Sequence, residues 1–377
     1  MIKQWRVLII NNDLVIGGSN VLLTNLSSYF KDSSKYVFYY SLIGKKKTTI
    51  EMPNGKRKII DGGYVNLKTL GCLASFIRKH QISLIHAHSP ATYFLGIILS
   101  IVTRSKILIH VHGSLREDVE NNHLFKRLAR LFFFKFFVNH FVVVCQPLAK
   151  ELCHDYFIKN KKITLVENGI QDMSDIPTDT KIKQELLAKY NLENNLVIIA
   201  VGRLTKVKNH CLLVEAAKRI KKETDFKFKV LLVGEGPLRE KLKKQIRQNH
   251  LDQDVYLTGA FSHDKIKTII SLADIFTLTS LYEGTSISLL EALSLGIPSV
   301  VSDVGGNKQV INNKAGVVFE SNNVDDLTNK LIGLMKNDQL RAKISYAGRK
   351  RFLKKYNASS TATKILSLYD NLLLPSR

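Results

Sequence analysis

The stretch Leu196-Val197-Ile198-Ile199-Ala200-Val201-Gly202-Arg203-Leu204-Thr205-Lys206-Val207-Lys208-Asn209-His210 decides the fold. Six apolar residues, mostly β-branched, form a run too short for a helix and too continuous for a strand with one wet face. Such a run belongs in a parallel sheet covered on both sides. Gly202 closes it, a basic loop follows, and helical spacing begins near His210. The same strand-loop-helix unit recurs downstream at Lys229–Val233, closed by Gly234-Glu235-Gly236-Pro237. Val255–Leu257, Ile275–Leu278 and Ser299–Ser302 follow. It also occurs upstream. Arg6–Ile10 reads as a strand, with Gly17-Gly18 before a helix over Asn20–Phe30. Further strands are Ile82–His88, Ile107–His112, Phe141–Val144 and Ile163–Val166.

Between the two series lies the acidic segment Asp172–Asp179, which reads as a hinge. The chain has 377 residues, enough for two domains at about 150 residues each. The fold class is therefore α/β, with two successive Rossmann-like domains. They are placed at 1–175 and 185–358. A final helix over Ser360–Leu374, within a segment 360–377, is expected to return to the first domain. Apolar residues make up 45% of the chain, which excludes disorder as its main state. No repeat of 20–50 residues is visible.

The formal net charge is +24, which calls for an anionic partner. The excess is spread over both halves, and no helix-turn-helix, RNP or zinc-finger spacing is present. Nucleic acid is thus not the expected partner. The four cysteines are scattered and form no CxxC pair, so a reducing cytoplasm fits. The longest apolar stretches, Phe94–Val102 and Leu131–Cys145, do not reach the roughly 20 apolar residues of a membrane span.

In open α/β sheets ligands bind beyond the carboxyl ends of the strands. Gly17-Gly18 lets backbone approach a phosphate at a helix start, but GxGxxG spacing is missing. His86, His88, His110 and His112 end two strands. No Asp, Glu or Cys accompanies them at ligand spacing, so one histidine facing the ligand and others packed or bonded to backbone is the expectation, with no metal. Arg203 and Lys208 suit a diphosphate, against the alternative of a solvated basic loop. In Tyr282-Glu283-Gly284-Thr285-Ser286-Ile287-Ser288-Leu289-Leu290-Glu291, the spacing Ser288-x-x-Glu291 allows a purely structural capping box. Glu283 has no such role.

Glu283 and Glu291 reproduce an E-x7-E motif, and the segment EGTSISLLEALSLGIPSVVSDVGG resembles retaining glycosyltransferases of family 4, with the GT-B fold. Gly17-Gly18, HAHS at His86–Ser89, HVHG at His110–Gly113, Cys145–Ala149, NGI at Asn168–Ile170, GRL…KN at Gly202–Asn209 and GEGP at Gly234–Pro237 follow the family's order. Cys145 stands where Ser is usual, and Gln309 where a glutamate is common.

The resemblance implies two facing domains with the active site in the cleft. The first would take the acceptor and the second a nucleoside-diphosphate sugar, most simply a UDP-sugar. Arg203 and Lys208 would bind the leaving diphosphate. Glu283, with Gly284, Thr285, Ser286, Ile287 and Ser288, would hold the sugar and distal phosphate. Glu291 would bind ribose hydroxyls, Gly17 and Gly18 would approach the diphosphate, and His112 would lie beside the transferred sugar. No obligatory metal or other cofactor is implied.

The expected reaction moves a hexosyl group to a hydroxyl of a saccharide or polyprenyl-diphosphate-linked acceptor in surface polysaccharide synthesis. A UDP-sugar epimerase and a non-enzymatic nucleic-acid binder are the alternatives. The basic and aromatic stretch Lys126–Phe137 reads either as core or as a helix lying on an anionic membrane at the inner face of the cell membrane.

Overall fold

Hydrophobic strands buried on both faces need helices on both sides, and this requirement organises each half of the chain. In the computed structural model the described residues are 4–11, 18–30, 33–43, 56–60, 67–115, 124–312 and 314–374. They divide into two units: Met1–Ile170 with Ala358–Arg377, and Gln171–Asn357.

The first unit contains β1 (Trp5–Asn11), α1 (Gly18–Phe30), β2 (Tyr36–Ile43), β3 (Lys56–Ile60), α2 (Leu67–Lys79), β4 (Leu84–Ala87) and α3 (Pro90–Thr103). It continues with β5 (Lys106–Val111), α4 (Leu124–Phe137), β6 (His140–Val143), α5 (Gln146–Asp155) and β7 (Ile163–Leu165). The second unit contains α6 (Thr180–Lys189), β8 (Leu196–Val201), α7 (His210–Glu223), β9 (Phe228–Val233), α8 (Arg239–Gln248), β10 (Val255–Gly259) and α9 (His263–Ile270). It ends with β11 (Ile275–Leu278), α10 (Ile287–Ser294), β12 (Ser299–Ser302), α11 (Asn307–Ile311), β13 (Val317–Phe319), α12 (Val324–Met335) and α13 (Asp338–Lys355). The last helix, α14 (Ala358–Leu373), packs on α1 in the first unit.

Both sheets are parallel. Their strand orders are β3-β2-β1-β4-β5-β6-β7 and β10-β9-β8-β11-β12-β13. Each order reverses direction once, at β1/β4 and at β8/β11. Such a switch point leaves a crevice at the carboxyl ends of the two strands. Leu8 and Ile9 sit opposite Ile85 and His86 at the first switch. Ile275 and Phe276 sit opposite Ile198 and Ile199 at the second. Three strands were not expected from the sequence: β2, β3 and β13. The edge strand β3 reads Lys-Arg-Lys-Ile-Ile, and β13 has only three residues. Both lack the long apolar run that marks the central strands.

Helix starts follow local chemistry. Asp179 accepts from Ile182 N at 3.0 Å, Asn323 from Asp326 N at 3.0 Å, and Asn337 from Leu340 N at 2.8 Å. These caps satisfy amides that the first helical turn leaves without partners. The division between units falls at Ile170, a few residues before the acidic segment. Asp172 is engaged there: Arg349 grips it in a forked pair at 2.6 Å to each carboxylate oxygen. That grip holds the Asp172 carboxyl below the usual range despite its partial burial.

Helix α4 is both core and surface. Phe134 is fully buried, with ring centroids 5.3 Å from Phe141 and 5.7 Å from Tyr156. Leu128, Phe132 and Phe136, spaced by four, are exposed at 54%, 53% and 63%. Arg130 departs from the basic face expected of this helix. It is buried and donates to Leu115 O at 3.0 Å. Phe134→Ala is therefore expected to cost about 3–5 kcal/mol of stability. Phe136→Ser should stay within roughly 0.5 kcal/mol of the parent, as exposed substitutions do. Denaturant midpoints of the two variants check this, and equal losses would contradict the two-faced helix.

Candidate functional site

In the second unit the carboxyl ends of β8 and β11 carry the residues the sequence picks out. After β8 the chain turns at Gly202, and Lys206–Lys208 form one short 3-10 turn. The loop folds back over its own start: a Cβ at Gly202 would lie 3.3 Å from Lys208 Cδ. Two hydrogen bonds tie it to the segment after β11. Leu281 N donates to Val207 O at 2.7 Å, and Thr279 Oγ1 donates to Lys208 O at 2.9 Å. This tether brings Lys208 Nζ to 2.5 Å from Glu283 Oε1. Ser280 Oγ donates to the same carboxylate oxygen at 2.7 Å.

Glu283 is itself held by backbone. Gly306 N donates to Glu283 O at 3.2 Å. Gly305 adopts φ +51°, and a Cβ there would fall 1.7 Å from Glu283 O. Only glycine satisfies both demands. The Gly-Gly pair of the sequence thus serves to bring the chain against the glutamate.

Arg203 is exposed, and its guanidinium makes no hydrogen bond or ion pair with any described residue. Lys208 and Glu283, assigned by resemblance to phosphate and sugar respectively, form an ion pair with one another. Gly284, Thr285 and Ser286 are buried ahead of α10, and Ile287, its first residue, is buried too. The capping-box alternative at Ser288 and Glu291 is not what forms. The N-cap of α10 is Ser286, and Ser288 Oγ donates to Val201 O at 3.1 Å. Glu291 is 5% exposed, its carboxyl has no hydrogen-bond partner among the described residues, and burial pushes that carboxyl up to about 8. A buried carboxyl without a protein partner stays protonated at neutral pH.

Behind the loop, His210 opens α7. Burial, aided by the Lys208 charge, lowers its imidazole to about 4. An open concavity of about 530 Å³ lined by Asn195, Phe228, Lys229 and Asp254 lies at the amino-terminal ends of the strands. Ligand chemistry in this fold sits at the other ends.

The first unit gathers its four histidines at the carboxyl ends of β4 and β5. The sequence predicts one imidazole facing a ligand and others packed or bonded to backbone; the structure packs all four against one another. The rings form one cluster, with centroids 4.1 Å apart for His86/His88 and for His110/His112, and 4.9 Å for His88/His110. His86 Nδ1 lies 2.6 Å from the Tyr369 hydroxyl of α14, and His88 Nδ1 lies 3.1 Å from His112 Nε2. Burial lowers all four, to about 3 for His86 and about 4 for His112, so the imidazoles are neutral at pH 7.

No sequence signal connects Tyr369 to this cluster. Thr279 and Ser280, also missed, stand just before the motif and were findable as hydroxyls beside a glutamate. Gly17 lies outside the described residues, and Gly18 is the first residue of α1.

Two family models match. "Glycosyltransferase Family 4" covers residues 16–172 and "Glycosyl transferases group 1" covers residues 182–351, so together they take in most of the chain. The chain is 27% identical over 316 residues to an Escherichia coli UDP-Gal:alpha-D-GlcNAc-diphosphoundecaprenol alpha-1,3-galactosyltransferase, covering 82% of this chain and 80% of that protein. It is 28% identical over 192 residues to a Staphylococcus aureus poly(ribitol-phosphate) alpha-N-acetylglucosaminyltransferase, covering 49% of this chain and 37% of that one. Among solved structures, Anabaena HepE in complex with UDP and glucose superposes with a TM-score of 0.84 at 17% identity, over 98% of this chain and 100% of that one. A Rickettsia africae glycosyltransferase gives 0.83 at 20% identity, over 99% and 100%.

The fold is GT-B, and the chain belongs to glycosyltransferase family 4. It is an enzyme that transfers a sugar, which sets aside the epimerase and nucleic-acid readings.

The state of Glu291 has a measurable consequence for stability. Below its ordinary value of 4.5 both folded and unfolded chains hold the proton. Between 4.5 and about 8 only the folded chain does, so stability declines as pH rises through that window. Glu291→Gln removes the decline. Relative to the parent, the variant should gain about 2 kcal/mol or more between pH 5 and pH 9. Parallel denaturant titrations at the two pH values measure it, and a difference that does not change with pH would rule out the elevated carboxyl.

Proposed function

We propose that this enzyme transfers a hexosyl group from a UDP-sugar to a hydroxyl of a polyprenyl-diphosphate-linked saccharide, with retention at the anomeric carbon. The observation that carries the reading is the Lys208–Glu283 pair at the carboxyl ends of β8 and β11, with Arg203 on the same loop, its side chain unpaired among the described residues. A nucleoside diphosphate brings negative charge to that place. Arg203 meets it with a planar fork and Lys208 with a point charge. As the glycosidic C–O bond breaks, negative charge grows on the diphosphate, and cations already in position stabilise it without reorganising.

Retention through a covalent intermediate needs a free carboxylate nucleophile beside an acid, about 5–5.5 Å away. Glu283 is tied to Lys208, and Glu291 is protonated near neutrality. Neither is poised for that role. Attack of the acceptor on the face the diphosphate leaves, with the diphosphate taking the acceptor's proton, suits these residues better. Glu283, with Gly284, Thr285, Ser286, Ile287 and Ser288, then orients the sugar and distal phosphate, and Glu291 accepts from the ribose hydroxyls. His112 in the first unit lies beside the transferred sugar.

The donor and acceptor classes draw on the relative named for UDP-Gal and a diphosphoundecaprenol acceptor, and on the neighbour bound to UDP and glucose. Among the described residues no helix is long and apolar enough to cross a membrane. A lipid-linked acceptor therefore needs an enzyme that reaches the bilayer from the side. We place this contact on the ridge Leu128, Phe132 and Phe136 of α4, with the excess positive charge drawing the chain to the anionic inner face of the cell membrane from the cytoplasm. The pathway is synthesis of a surface polysaccharide.

Arg203→Ala and Lys208→Ala are each expected to lower kcat by about 100- to 1000-fold. The measurement is initial-rate kinetics with UDP-sugars and a lipid-linked saccharide, and near-parental turnover in both variants would sink the diphosphate assignment.

A second measurement tests the membrane contact. Phe132→Ser with Phe136→Ser should weaken binding to anionic vesicles by about 10-fold or more, since burying one such ring is worth about 1.5–3 kcal/mol. UDP binding should not change. Vesicle binding equal to the parent's would move the contact elsewhere.

A further inference from the structure

The cluster at the carboxyl ends of β4 and β5 has a property that glycosyl transfer does not use. His86, His88 and His110 are exposed at 1%, 2% and 0%. One ring nitrogen from each lies within 4.8 Å of those of the other two. Among the described residues five buried ring nitrogens have no partner: His86 Nε2, His88 Nε2, both nitrogens of His110, and His112 Nδ1. A buried polar atom left without a partner costs about 1–3 kcal/mol, and five in one cluster is a load that a fold does not carry for packing alone.

The pattern of satisfied and unsatisfied atoms is ordered. Parallel pairing sets Ala87 opposite Ile109, so the alternating histidines of the two segments share one face. In His86 and His88 it is Nδ1 that is engaged, by the Tyr369 hydroxyl at 2.6 Å and by His112 Nε2 at 3.1 Å. Nε2 is free in both. A metal-binding histidine has this form: one nitrogen is fixed by an outer partner, which sets the tautomer, and the other carries the lone pair.

We propose that His86 Nε2, His88 Nε2 and one nitrogen of His110 bind a divalent transition-metal ion of the zinc type, with the Tyr369 hydroxyl orienting His86 from outside. Three neutral imidazoles select zinc, copper or nickel over magnesium or calcium, which require oxygen ligands. The ion is structural with respect to glycosyl transfer. Bound at His88 Nε2, it leaves the proton of that ring on Nδ1, which donates to His112 Nε2. The remaining proton of His112 then sits on Nδ1. The ion thereby fixes the tautomer of His112 through a neighbour and not by contact.

The test uses the full chain without a polyhistidine tag, stripped by a chelator and titrated with zinc against a chromogenic competitor. One equivalent is expected to bind and to raise the thermal midpoint, as a ligand of the native state does. Tyr369→Phe should weaken zinc by about 10-fold, the lower end of an outer-partner loss. His110→Phe should weaken it by about 100-fold or more. Should His110→Phe fail to fold, cobalt spectra of the parent decide: intense visible bands of a four-coordinate nitrogen site support the proposal, and the pale spectrum of solvated cobalt overturns it. A parent chain that binds no zinc, or variants that bind it as the parent does, also overturn it.

Discussion

A positive and a negative group at the end of a buried parallel sheet must be close enough to neutralise each other. That constraint shapes the second unit. The side chains of Lys208 and Glu283 retain only 23% and 10% of their exposure. Removing one partner of such a pair leaves the other as an uncompensated buried charge, which costs about 3–5 kcal/mol when burial is complete. The tether of the loop to the segment after β11, the Ser280 hydroxyl, and Gly305 pressed against Glu283 O all serve to hold this contact. The loop after β8 is therefore placed by electrostatics as well as by backbone hydrogen bonds. A ligand that brings negative charge re-partitions Lys208 between Glu283 and itself. The Arg203 side chain, with no competing partner among the described residues, is available without such an exchange.

The protein uses two opposite means of keeping ionisable groups in the interior. At β8 and β11 one charge is paired with another. At Glu291 and at the four histidines the charge is removed: burial raises the carboxyl to about 8 and depresses the imidazoles. A neutral buried acid with no hydrogen-bond partner loses less than an ionised one would, but it still lacks the bonds water gave it.

The fold was legible because the central strands carry their own signature. Leu196–Val201, Ile275–Leu278 and Ser299–Ser302 appear at the boundaries read from the sequence. What escaped was marginal strand. β2 carries Tyr and Phe in place of an aliphatic run, β3 is three basic residues and two isoleucines, and β13 is too short to show a period. In the site, the glutamates and the basic loop were legible as residue types at a spacing. Their pairing was not, because the Lys208–Glu283 bond spans 75 positions and depends on which strands are neighbours at the switch point. The capping alternative failed for a local reason: α10 begins one residue after Ser286, so Ser288 lies inside the first turn and its hydroxyl turns to Val201 O.

The histidine cluster shows where residue-by-residue reading stops. From the sequence alone alternation can bring His86 and His88 to one face, but with no Asp, Glu or Cys at ligand spacing the expectation is one histidine at the ligand and others packed or bonded to backbone. Register turns them into one object, because β4 and β5 are adjacent and parallel and the i, i+2 positions of both segments face the same way. The outer partner comes from still farther off: Tyr369 on α14 is 283 positions from His86. The chain leaves the first unit at Ile170 and re-enters at Ala358, where Ala358 N donates to Ile170 O at 2.9 Å. The last helix is thus more than a tail. It closes over the same end of the sheet where the histidines meet, packs on α1, and supplies the hydroxyl that fixes one imidazole. Truncation before α14 would remove that hydroxyl and uncover Phe30, whose ring lies 6.4 Å from that of Tyr369.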